Sequence, residues 1–311
     1  TIARALVENS TTTLIDEDIE GLFAAAPDAG DFCAKTFHGY YFTKPILAFL
    51  DVAWANARRL KGYKRDLALA ALGWTVVNKA KFGEFSRSKK ALRGPVQNVA
   101  RETSLTNIPL SDFQHRFRLN LARINRLVFD NGQANEAIQS DAVAAVRGTD
   151  CDLVYADPPY ITRFGNNDYE KNLHFVEGLM TMWEGKTLKE NTRRDYESST
   201  KYSRESIEAL IADVIQGAGG RHLLLSYRDQ AYPDEKTIQG LFKARFRKSR
   251  VTGIDVQYGM ITNEPKSGGK YARELVFVGS EPQTAKASAD ARAVSADTPI
   301  HTRITGDVQA D

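Results

Sequence analysis

The stretch Asp152-Leu153-Val154-Tyr155-Ala156-Asp157-Pro158-Pro159-Tyr160 is the part of the sequence that decides the fold. Its short apolar run is typical of a buried strand, and the two prolines that follow cannot donate hydrogen bonds to a sheet. The strand is therefore expected to end at Asp157. In open α/β sheets, ligands bind at such carboxyl ends. A carboxylate held rigidly beside the Tyr160 ring suits a planar heterocycle that carries an amino group.

The segments around this strand indicate an α/β sheet. Residues 136–139 are predicted to form a strand that ends at Ser140-Asp141, and a helical segment follows as far as Val146. This strand-helix-strand pattern predicts that Asp141 and Asp157 lie at the same edge of neighbouring parallel strands. Asp141 is equally compatible with the N-cap of the intervening helix. Residues 223–227 form the next predicted buried strand, and residues 251–258 and 274–278 read as an antiparallel hairpin.

The first 130 residues are predicted to be mainly helical. Helical periodicity is present over residues 1–9, 14–26, 46–60, 67–79 and 111–128, with Thr13 as the expected cap of the second helix. The last of these helices carries an apolar stripe, Phe113, Phe117, Leu121, Ile124 and Leu127. Its arginines have two interpretations, contact with nucleic-acid phosphates or simple exposure to solvent.

Charge is distributed unevenly along the chain. The 311 residues carry a net charge of +3, yet residues 58–126 contain 16 Lys and Arg against four acidic residues, which leaves the remainder strongly acidic. A basic block of this size is typical of a surface that binds a polyanion, although a solvated helix surface is the alternative. Its clustering with glycine, serine and aromatic residues after Lys79 favours nucleic acid.

Composition excludes several other classes of protein. An apolar share of 42% and a charged share of 26% are ordinary for a soluble protein of two modest domains. No apolar run approaches the ~20 residues of a membrane span, and no signal peptide is evident, so we expect a cytoplasmic protein with no membrane partner. Cys33 and Cys151 are interpreted as core thiols, and no metal site is expected.

The tetrapeptide Asp157-Pro158-Pro159-Tyr160 resembles the D-P-P-Y motif of the methyltransferases that modify exocyclic nitrogens of DNA bases. Four residues can also occur by chance at the end of a buried strand. Residues 1–9 resemble a helix of the Dam-like (alpha-group) adenine-N6 methyltransferases. The resemblance implies a Rossmann-like α/β sheet that ends in an antiparallel hairpin, with an inserted, mainly helical target-recognition domain. The implied division is residues 1–30 for part of the catalytic domain, 31–130 for target recognition, 131–280 for catalysis and 281–311 for a disordered tail.

The resemblance also implies roles for individual residues. Asp157, Pro158, Pro159 and Tyr160 would be catalytic, and Asp141 and Asp157 would bind the cofactor S-adenosylmethionine. Double-stranded DNA would be the partner, and a cognate restriction endonuclease is expected in the same system. The sequence makes no prediction about the oligomeric state. The candidate DNA-binding residues are Lys79, Lys81, Arg87, Lys89, Lys90 and Arg93.

One part of the family pattern is missing. The glycine-rich F-x-G-x-G turn that closes on the cofactor does not precede Asp157, and the glycines at 217–220 come before a strand. We expect that turn to lie upstream of Thr1 and the chain to be N-terminally truncated. Several alternatives to the adenine-N6 function stay open, of which the last follows from the missing turn. They are a cytosine-N4 methyltransferase, a methyltransferase acting on RNA or on a protein glutamine, and an inactive DNA-binding remnant.

Overall fold

The computed structural model describes residues 2–80, 85, 108–147, 149–162, 165–166, 169–182, 188–189, 193–194, 204–257 and 271–283. The chain divides into two compact units. The helical unit combines Thr1–Gln139 with Asn166–Lys201 and Gln257–Tyr271. The sheet unit combines Ser140–Gly165, Tyr202–Val256 and Ala272–Asp311.

The described helices and strands run as follows. The helices are α1 (Ile2–Val7), α2 (Asp16–Gly21), α3 (Phe32–Thr36), α4 (Lys44–Arg59), α5 (Gly62–Lys79), α6 (Leu110–Asn125), α7 (Ala142–Val146), α8 (Tyr169–Thr181), α9 (Arg204–Gly217) and α10 (Glu235–Arg245). The strands are β1 (Leu153–Ala156), β2 (Ile161–Thr162), β3 (Gly165–Asn166), β4 (Leu188–Lys189), β5 (Arg193–Arg194), β6 (His222–Arg228), β7 (Ala231–Tyr232), β8 (Phe246–Gln257) and β9 (Tyr271–Pro282).

The helical unit is held together by α4, α5 and α6, which pack against one another. Their apolar faces recur at helical spacing and bury a continuous core that also includes residues of α8. A polar bridge joins two of the helices, since Asn120 Nδ2 donates to Thr75 Oγ1 at 2.9 Å and Thr75 Oγ1 donates to the Ala71 carbonyl. The predicted helices are therefore confirmed in type, with changes at their ends.

Some details of the helical prediction are wrong. The second helix begins at Asp16, and its start is closed by the Asp18 carboxylate, which accepts from the Ile15 N–H at 2.9 Å; Thr13 does not cap it. Helix α5 begins at Gly62, earlier than the predicted start at residue 67. Leu127 is 47% exposed, because α6 ends two residues before it and the apolar stripe no longer faces the core there.

The sheet unit is built on a four-stranded sheet in the order β1-β6-β9-β8. β1 and β6 are parallel, whereas β6 and β9 are antiparallel. Helices α9 and α10 cover one face of the sheet with buried side chains such as Ile211 and Phe242, which pack with Leu225 and Phe277. A smaller sheet, in the order β3-β2-β7, follows the Asp157-Pro158-Pro159-Tyr160 stretch.

The structure corrects two predictions about this sheet. The described residues 136–139 form no strand, because Ile138 is 70% exposed and has no apolar layer to pack on. Asp141 and Asp157 therefore do not end neighbouring parallel strands, and the parallel neighbour of β1 is β6. The β1 strand is also only half-buried, since Leu153 and Tyr155 are 53% and 60% exposed.

Other expectations have mixed outcomes. Cys33 is a buried thiol as predicted, but Cys151 is only partly buried because it precedes the exposed start of β1. The two C-terminal strands form and are neighbours in the sheet. The disordered tail predicted for residues 281–311 starts too early, because β9 continues to Pro282; residues 284–311 lie outside the described residues. No helix in the described part of the chain is both long and apolar enough to cross a membrane.

Candidate active site

The Asp157-Pro158-Pro159-Tyr160 stretch lies between two strands that hold it at both ends. It leaves β1 after Ala156, and β2 begins directly after it, with Ile161 paired to Tyr232 of β7. The Tyr160 ring packs edge-on against the buried Tyr227 ring, with centroids 5.3 Å apart and planes at 88°. The stretch is therefore fixed by the sheet, by its prolines and by one aromatic contact.

The Asp157 carboxylate is exposed and receives hydrogen bonds on one oxygen. Oδ1 accepts from the Tyr160 hydroxyl at 3.1 Å and from Ser226 Oγ of β6 at 2.9 Å. Ser226 Oγ is also 2.9 Å from the Tyr155 hydroxyl. Within the described contacts, Oδ2 receives no donor, so one carboxylate oxygen is held while the other is available to a ligand.

Tyr227, which packs against Tyr160, is a buried residue of the site. Burial of its phenol raises the pKa of Tyr227 far above the usual range, and its hydroxyl donates to the Tyr232 carbonyl. Tyr227 thus stays neutral at all ordinary pH values and acts as a fixed wall behind Tyr160. The site therefore combines a buried, uncharged Tyr227 ring that supports Tyr160 with the exposed carboxylate of Asp157.

A cavity of about 320 Å³ adjoins the Asp157 carboxylate. Its walls come from α7, α9 and the end of β1, and they are mostly apolar. The lining includes Ala142, Val146, Tyr155, Pro158 and Leu210 as well as Asp157. Small-molecule sites occupy roughly 300–1,000 Å³ and combine apolar walls with a few polar groups. This cavity therefore has the size and lining of a site for a planar ring with an amino group.

Asp141 lies next to this cavity and caps α7. Its carboxylate accepts from the Ala144 N–H at 3.0 Å, which is the N-cap interpretation of this residue. The side chain is exposed, and it directly precedes Ala142, one of the lining residues. A capping carboxylate engages a single oxygen in this bond, so the cap and a ligand contact are chemically compatible.

The glycines at 217–220 have a packing role in the described structure. A Cβ atom on Gly219 would come within 2.4 Å of the Thr149 carbonyl oxygen. The glycine therefore allows the chain that enters β6 to approach the chain that enters β1.

Most of the predicted DNA-binding residues lie outside the described residues. Lys79 is the last residue of α5 and is partly buried. The other five, Lys81, Arg87, Lys89, Lys90 and Arg93, are among the residues that the structure does not describe.

Phe85, in the middle of this basic segment, is described and is fully buried in the helical unit. Its ring stacks on Phe175 with centroids 5.0 Å apart, and its carbonyl accepts from the Tyr41 hydroxyl. The Tyr41 hydroxyl also lies 3.2 Å from Nε2 of the buried His174. The segment that carries the candidate DNA-binding residues is thus anchored at one aromatic position.

The arginines of α6 are not equivalent. Arg118 donates to both carboxylate oxygens of Glu20 and lies over the Phe23 ring at 3.9 Å. Arg118 is therefore a structural residue of the helical unit. Arg123 and Arg126 are exposed, which is compatible with both interpretations of these arginines, phosphate contact and simple exposure to solvent.

Sequence reasoning overlooked Tyr155 as a residue of the site. Side chains alternate along a strand, so Leu153, Tyr155 and Asp157 were bound to share one face. The prediction treated β1 as buried on both faces, so this alternation was not used. For a strand with one exposed face, the alternation predicts that the Tyr155 phenol lies on the same side as the Asp157 carboxylate.

Comparison with known proteins gives two relatives of this chain. It is 25% identical over 281 residues to the "Type II methyltransferase M2.HphI" of Haemophilus parahaemolyticus, which covers 89% of this chain and 80% of the relative. It is 28% identical over 185 residues to the "Modification methylase StsI" of Streptococcus sanguinis, which covers 56% of this chain and 24% of that relative. The chain is similar to type II methyltransferases.

The remaining comparisons find no match. No family model matches the chain, and no solved structure matches it significantly. The names of both relatives support a methyltransferase enzyme. Methyltransferases of this kind use S-adenosylmethionine. The apolar cavity beside Asp157 fits the adenine ring of such a cofactor in size and chemistry.

Proposed function

We propose that this chain transfers a methyl group from S-adenosylmethionine to the exocyclic N6 amino group of adenine in duplex DNA, as the modification component of a restriction-modification system. The observation that carries the proposal is the exposed Asp157 carboxylate, held at the end of β1 beside an apolar cavity and the Tyr160 ring. The two relatives named as a methyltransferase and a modification methylase support the same reaction class.

The geometry of the target requires base flipping. The amino group of adenine is stacked and paired inside a duplex, so the nucleotide must be rotated out before it can reach the carboxylate. The partly buried ring of Tyr160 would stack on the flipped base. The remaining oxygen of Asp157 and the Pro158 carbonyl would accept hydrogen bonds from the amino group of that base. Stacking and these hydrogen bonds offset the few kcal/mol that flipping costs.

The chain's own groups would prepare the nitrogen for reaction. The cofactor supplies an electrophilic methyl group bound to a sulfonium sulfur. Hydrogen bonds from the amino group to Asp157 and to the Pro158 carbonyl hold the nitrogen lone pair in one direction. The nitrogen would bond to the methyl carbon as the carbon–sulfur bond of the cofactor breaks and its electron pair stays on the sulfur. The proton that the nitrogen gives up would pass to the Asp157 carboxylate. Positioning and fixed charge therefore supply most of the acceleration.

The cofactor site is proposed at the cavity lined by α7, α9 and the end of β1. Ala142, Val146 and Leu210 would contact the faces of the adenine ring of the cofactor. Asp141, at the start of α7, would accept from its amino group. Asp157 borders both this cavity and the proposed position of the target base, which explains why a single residue serves both.

DNA would be bound by the basic segment around Phe85 together with the exposed arginines of α6. Phosphate contacts are non-specific and salt-dependent, so they position the duplex without reading its sequence. The affinity of the chain for DNA should therefore fall steeply as the salt concentration rises.

The test is methyl transfer from S-adenosylmethionine labelled in its methyl group to unmethylated duplex DNA, followed by digestion to nucleosides and separation of the labelled product. Label in N6-methyldeoxyadenosine is the expected result. Label in N4-methyldeoxycytidine would replace the adenine assignment with the cytosine alternative. Salt-dependent DNA binding without label in any base would contradict the enzymatic proposal and favour the DNA-binding remnant.

A further inference from the structure

Ser226 connects Tyr155 with the Asp157 carboxylate. Its hydroxyl is 2.9 Å from Asp157 Oδ1 and 2.9 Å from the Tyr155 hydroxyl. The contact spans two strands, since Ser226 lies on β6 while the other two residues lie on β1 or directly after it. The register explains it: Tyr155 is paired with Leu224, and Ser226 is two residues further along the same face.

The direction of these hydrogen bonds follows from the number of protons available. An ionised carboxylate only accepts, so the single proton of Ser226 must point to Asp157 Oδ1. Ser226 can then only accept from Tyr155, whose phenol must donate. The three groups therefore form a directed chain, in which Tyr155 donates to Ser226 and Ser226 donates to Asp157.

Burial does not require this chain of hydrogen bonds. Tyr155 is 60% exposed and Ser226 is only partly buried, so water could satisfy both hydroxyls if the chain did not exist. The hydrogen bonds consequently select one orientation of the carboxylate and are not needed to satisfy buried polar groups. With the Tyr160 hydroxyl as a second donor, both described bonds fall on Oδ1, and Oδ2 has no donor among the described contacts.

We propose that Ser226 is a positioning residue for methyl transfer, and that Tyr155 acts through it. Ser226 holds Oδ1 so that Oδ2 meets the amino group of the target base, and Tyr155 orients the Ser226 proton. This inference rests on the proposed function. It deepens that function by assigning two residues that do not touch the reacting atoms. It also assigns Oδ1 of Asp157 to the contact with Ser226 and Oδ2 to the amino group of the target base.

The first test is Ser226→Ala in the methyl-transfer assay. Misplacement of a reacting group commonly costs up to about 100-fold, and kcat is expected to fall by about 10- to 100-fold. The KM values for DNA and for cofactor should stay within about threefold of the wild-type values, because the loss concerns the transition state. Ser226→Thr keeps the hydroxyl and should restore most of kcat. Ser249→Ala, an exposed serine of β8 in the same sheet, is the matched control.

The second test separates the two roles open to Tyr155, which also lines the cavity beside Asp157. Loss of one neutral hydrogen bond in Tyr155→Phe should lower kcat by about two- to tenfold. If Tyr155 acts through Ser226, the double variant Tyr155→Phe/Ser226→Ala should be no slower than Ser226→Ala. Multiplicative effects in the double variant would overturn the assignment of Tyr155.

A binding measurement gives a readout that does not depend on turnover. Calorimetric titration with S-adenosylmethionine should give the same affinity for wild type, Ser226→Ala and Ser249→Ala. If Ser226→Ala weakens cofactor binding in proportion to its loss of kcat, Ser226 belongs to the cofactor site and the positioning role is wrong. Thermal unfolding of each variant shows whether a loss of activity reflects loss of the fold.

The outcomes distinguish this inference from the function on which it rests. Wild-type protein that transfers no methyl group to DNA contradicts the proposed function, and the positioning role is then wrong as well. Wild-type transfer that Ser226→Ala leaves unchanged contradicts the positioning role alone. Wild-type transfer that falls in Ser226→Ala and returns in Ser226→Thr supports both.

Discussion

Asp51 of the helical unit and Asp157 of the sheet unit are both hydrogen-bonded aspartates, but their surroundings differ. Asp51 is 4% exposed, and its two oxygens accept from the backbone N–H groups of Cys33 and Ala34 at 2.7 and 3.0 Å. Asp157 is exposed, and among the described residues side-chain hydroxyls reach only its Oδ1. The Asp51 carboxylate satisfies two backbone N–H groups of the helical unit. The Asp157 carboxylate of the sheet unit has one hydrogen-bonded oxygen and one oxygen that a ligand can reach.

The two units differ in the same way on a larger scale. The helical unit buries a wide aromatic core, and its buried polar groups such as Asn56 bond to backbone carbonyls. The sheet unit buries one face of its sheet under helices, and Leu153 and Tyr155 remain exposed on the other. The buried core of the helical unit favours stability. The exposed face of the sheet unit carries Tyr155 and Asp157, which a substrate can reach. The following variants test this contrast.

The largest expected effect is on stability, from Phe85→Ala in the helical unit. Phe85 is fully buried against Tyr41, Phe42 and Phe175. Truncation of such a phenylalanine typically lowers the free energy of unfolding by about 3–5 kcal/mol. Urea denaturation measures this loss. DNA affinity should fall as well, since the basic segment loses its anchor.

The matched control for Phe85→Ala is Phe129→Ala, a phenylalanine of the same unit that is 38% exposed. It should cost no more than about 1 kcal/mol. Equal losses for the two variants would mean that the aromatic cluster around Phe85 does not stabilise the helical unit, and the contrast with the sheet unit would weaken.

Asp157→Ala should have the opposite profile, with a large loss of activity and little loss of stability. Removal of one preorganised electrostatic group commonly lowers kcat by about 10²–10³-fold, or roughly 3–4 kcal/mol. The melting temperature should change little because the carboxylate is exposed. Asp255→Ala, an exposed aspartate of β8, should leave both quantities unchanged. Full activity of Asp157→Ala would contradict the proposed mechanism.

Asp51→Asn should lower stability without a direct effect on chemistry. An amide has only one acceptor oxygen, so one of the two buried N–H groups at Cys33 or Ala34 loses its partner. An unsatisfied buried group costs about 1–3 kcal/mol. Chemical denaturation at pH 7 measures the cost. A variant as stable as the wild type would show that Asp51 does not hold the start of α3.

The stability contributed by Asp51 should also depend on pH. Burial raises the pKa of Asp51, and the hydrogen bonds from Cys33 and Ala34 only partly oppose this. A carboxyl whose pKa is higher in the folded protein binds protons more readily in that state, so its contribution is fully present below the unfolded pKa of about 3.9 and declines as the pH rises through the folded pKa. The stability deficit of Asp51→Asn should therefore grow as the pH is lowered from 7 towards 4.

The smallest effects should come from the two N-cap aspartates of the sheet unit. Asp234 accepts from the Thr237 N–H at 2.8 Å and caps the 11-residue α10, and Asp141 caps the five-residue α7. Asp234→Ala should cost about 1 kcal/mol of stability with no change in cofactor binding. Asp141→Ala should raise the KM for cofactor by about tenfold, the equivalent of one charge-assisted hydrogen bond. An unchanged KM would leave Asp141 as a cap alone.

The sequence predicted the elements that local chemistry controls. Periodicity identified α4, α5 and α6, and the two prolines located the end of β1 correctly. Errors arose where an element depended on a distant partner. Residues 136–139 have strand-like composition, but none of the described residues covers Ile138, which is 70% exposed, and these residues form no strand. The predicted adjacency of Asp141 and Asp157 failed for the same reason.

By itself, the sequence determined that a carboxylate and a phenol stand at the end of a strand, because proline geometry and strand alternation act within a few residues. Only the tertiary structure decided that Ser226 donates to that carboxylate, 69 residues away along the chain, and contacts the Tyr155 hydroxyl, 71 residues away. Such pairings depend on strand order and register, which arise from the packing of α9 and α10 on the sheet and are not encoded in any one segment.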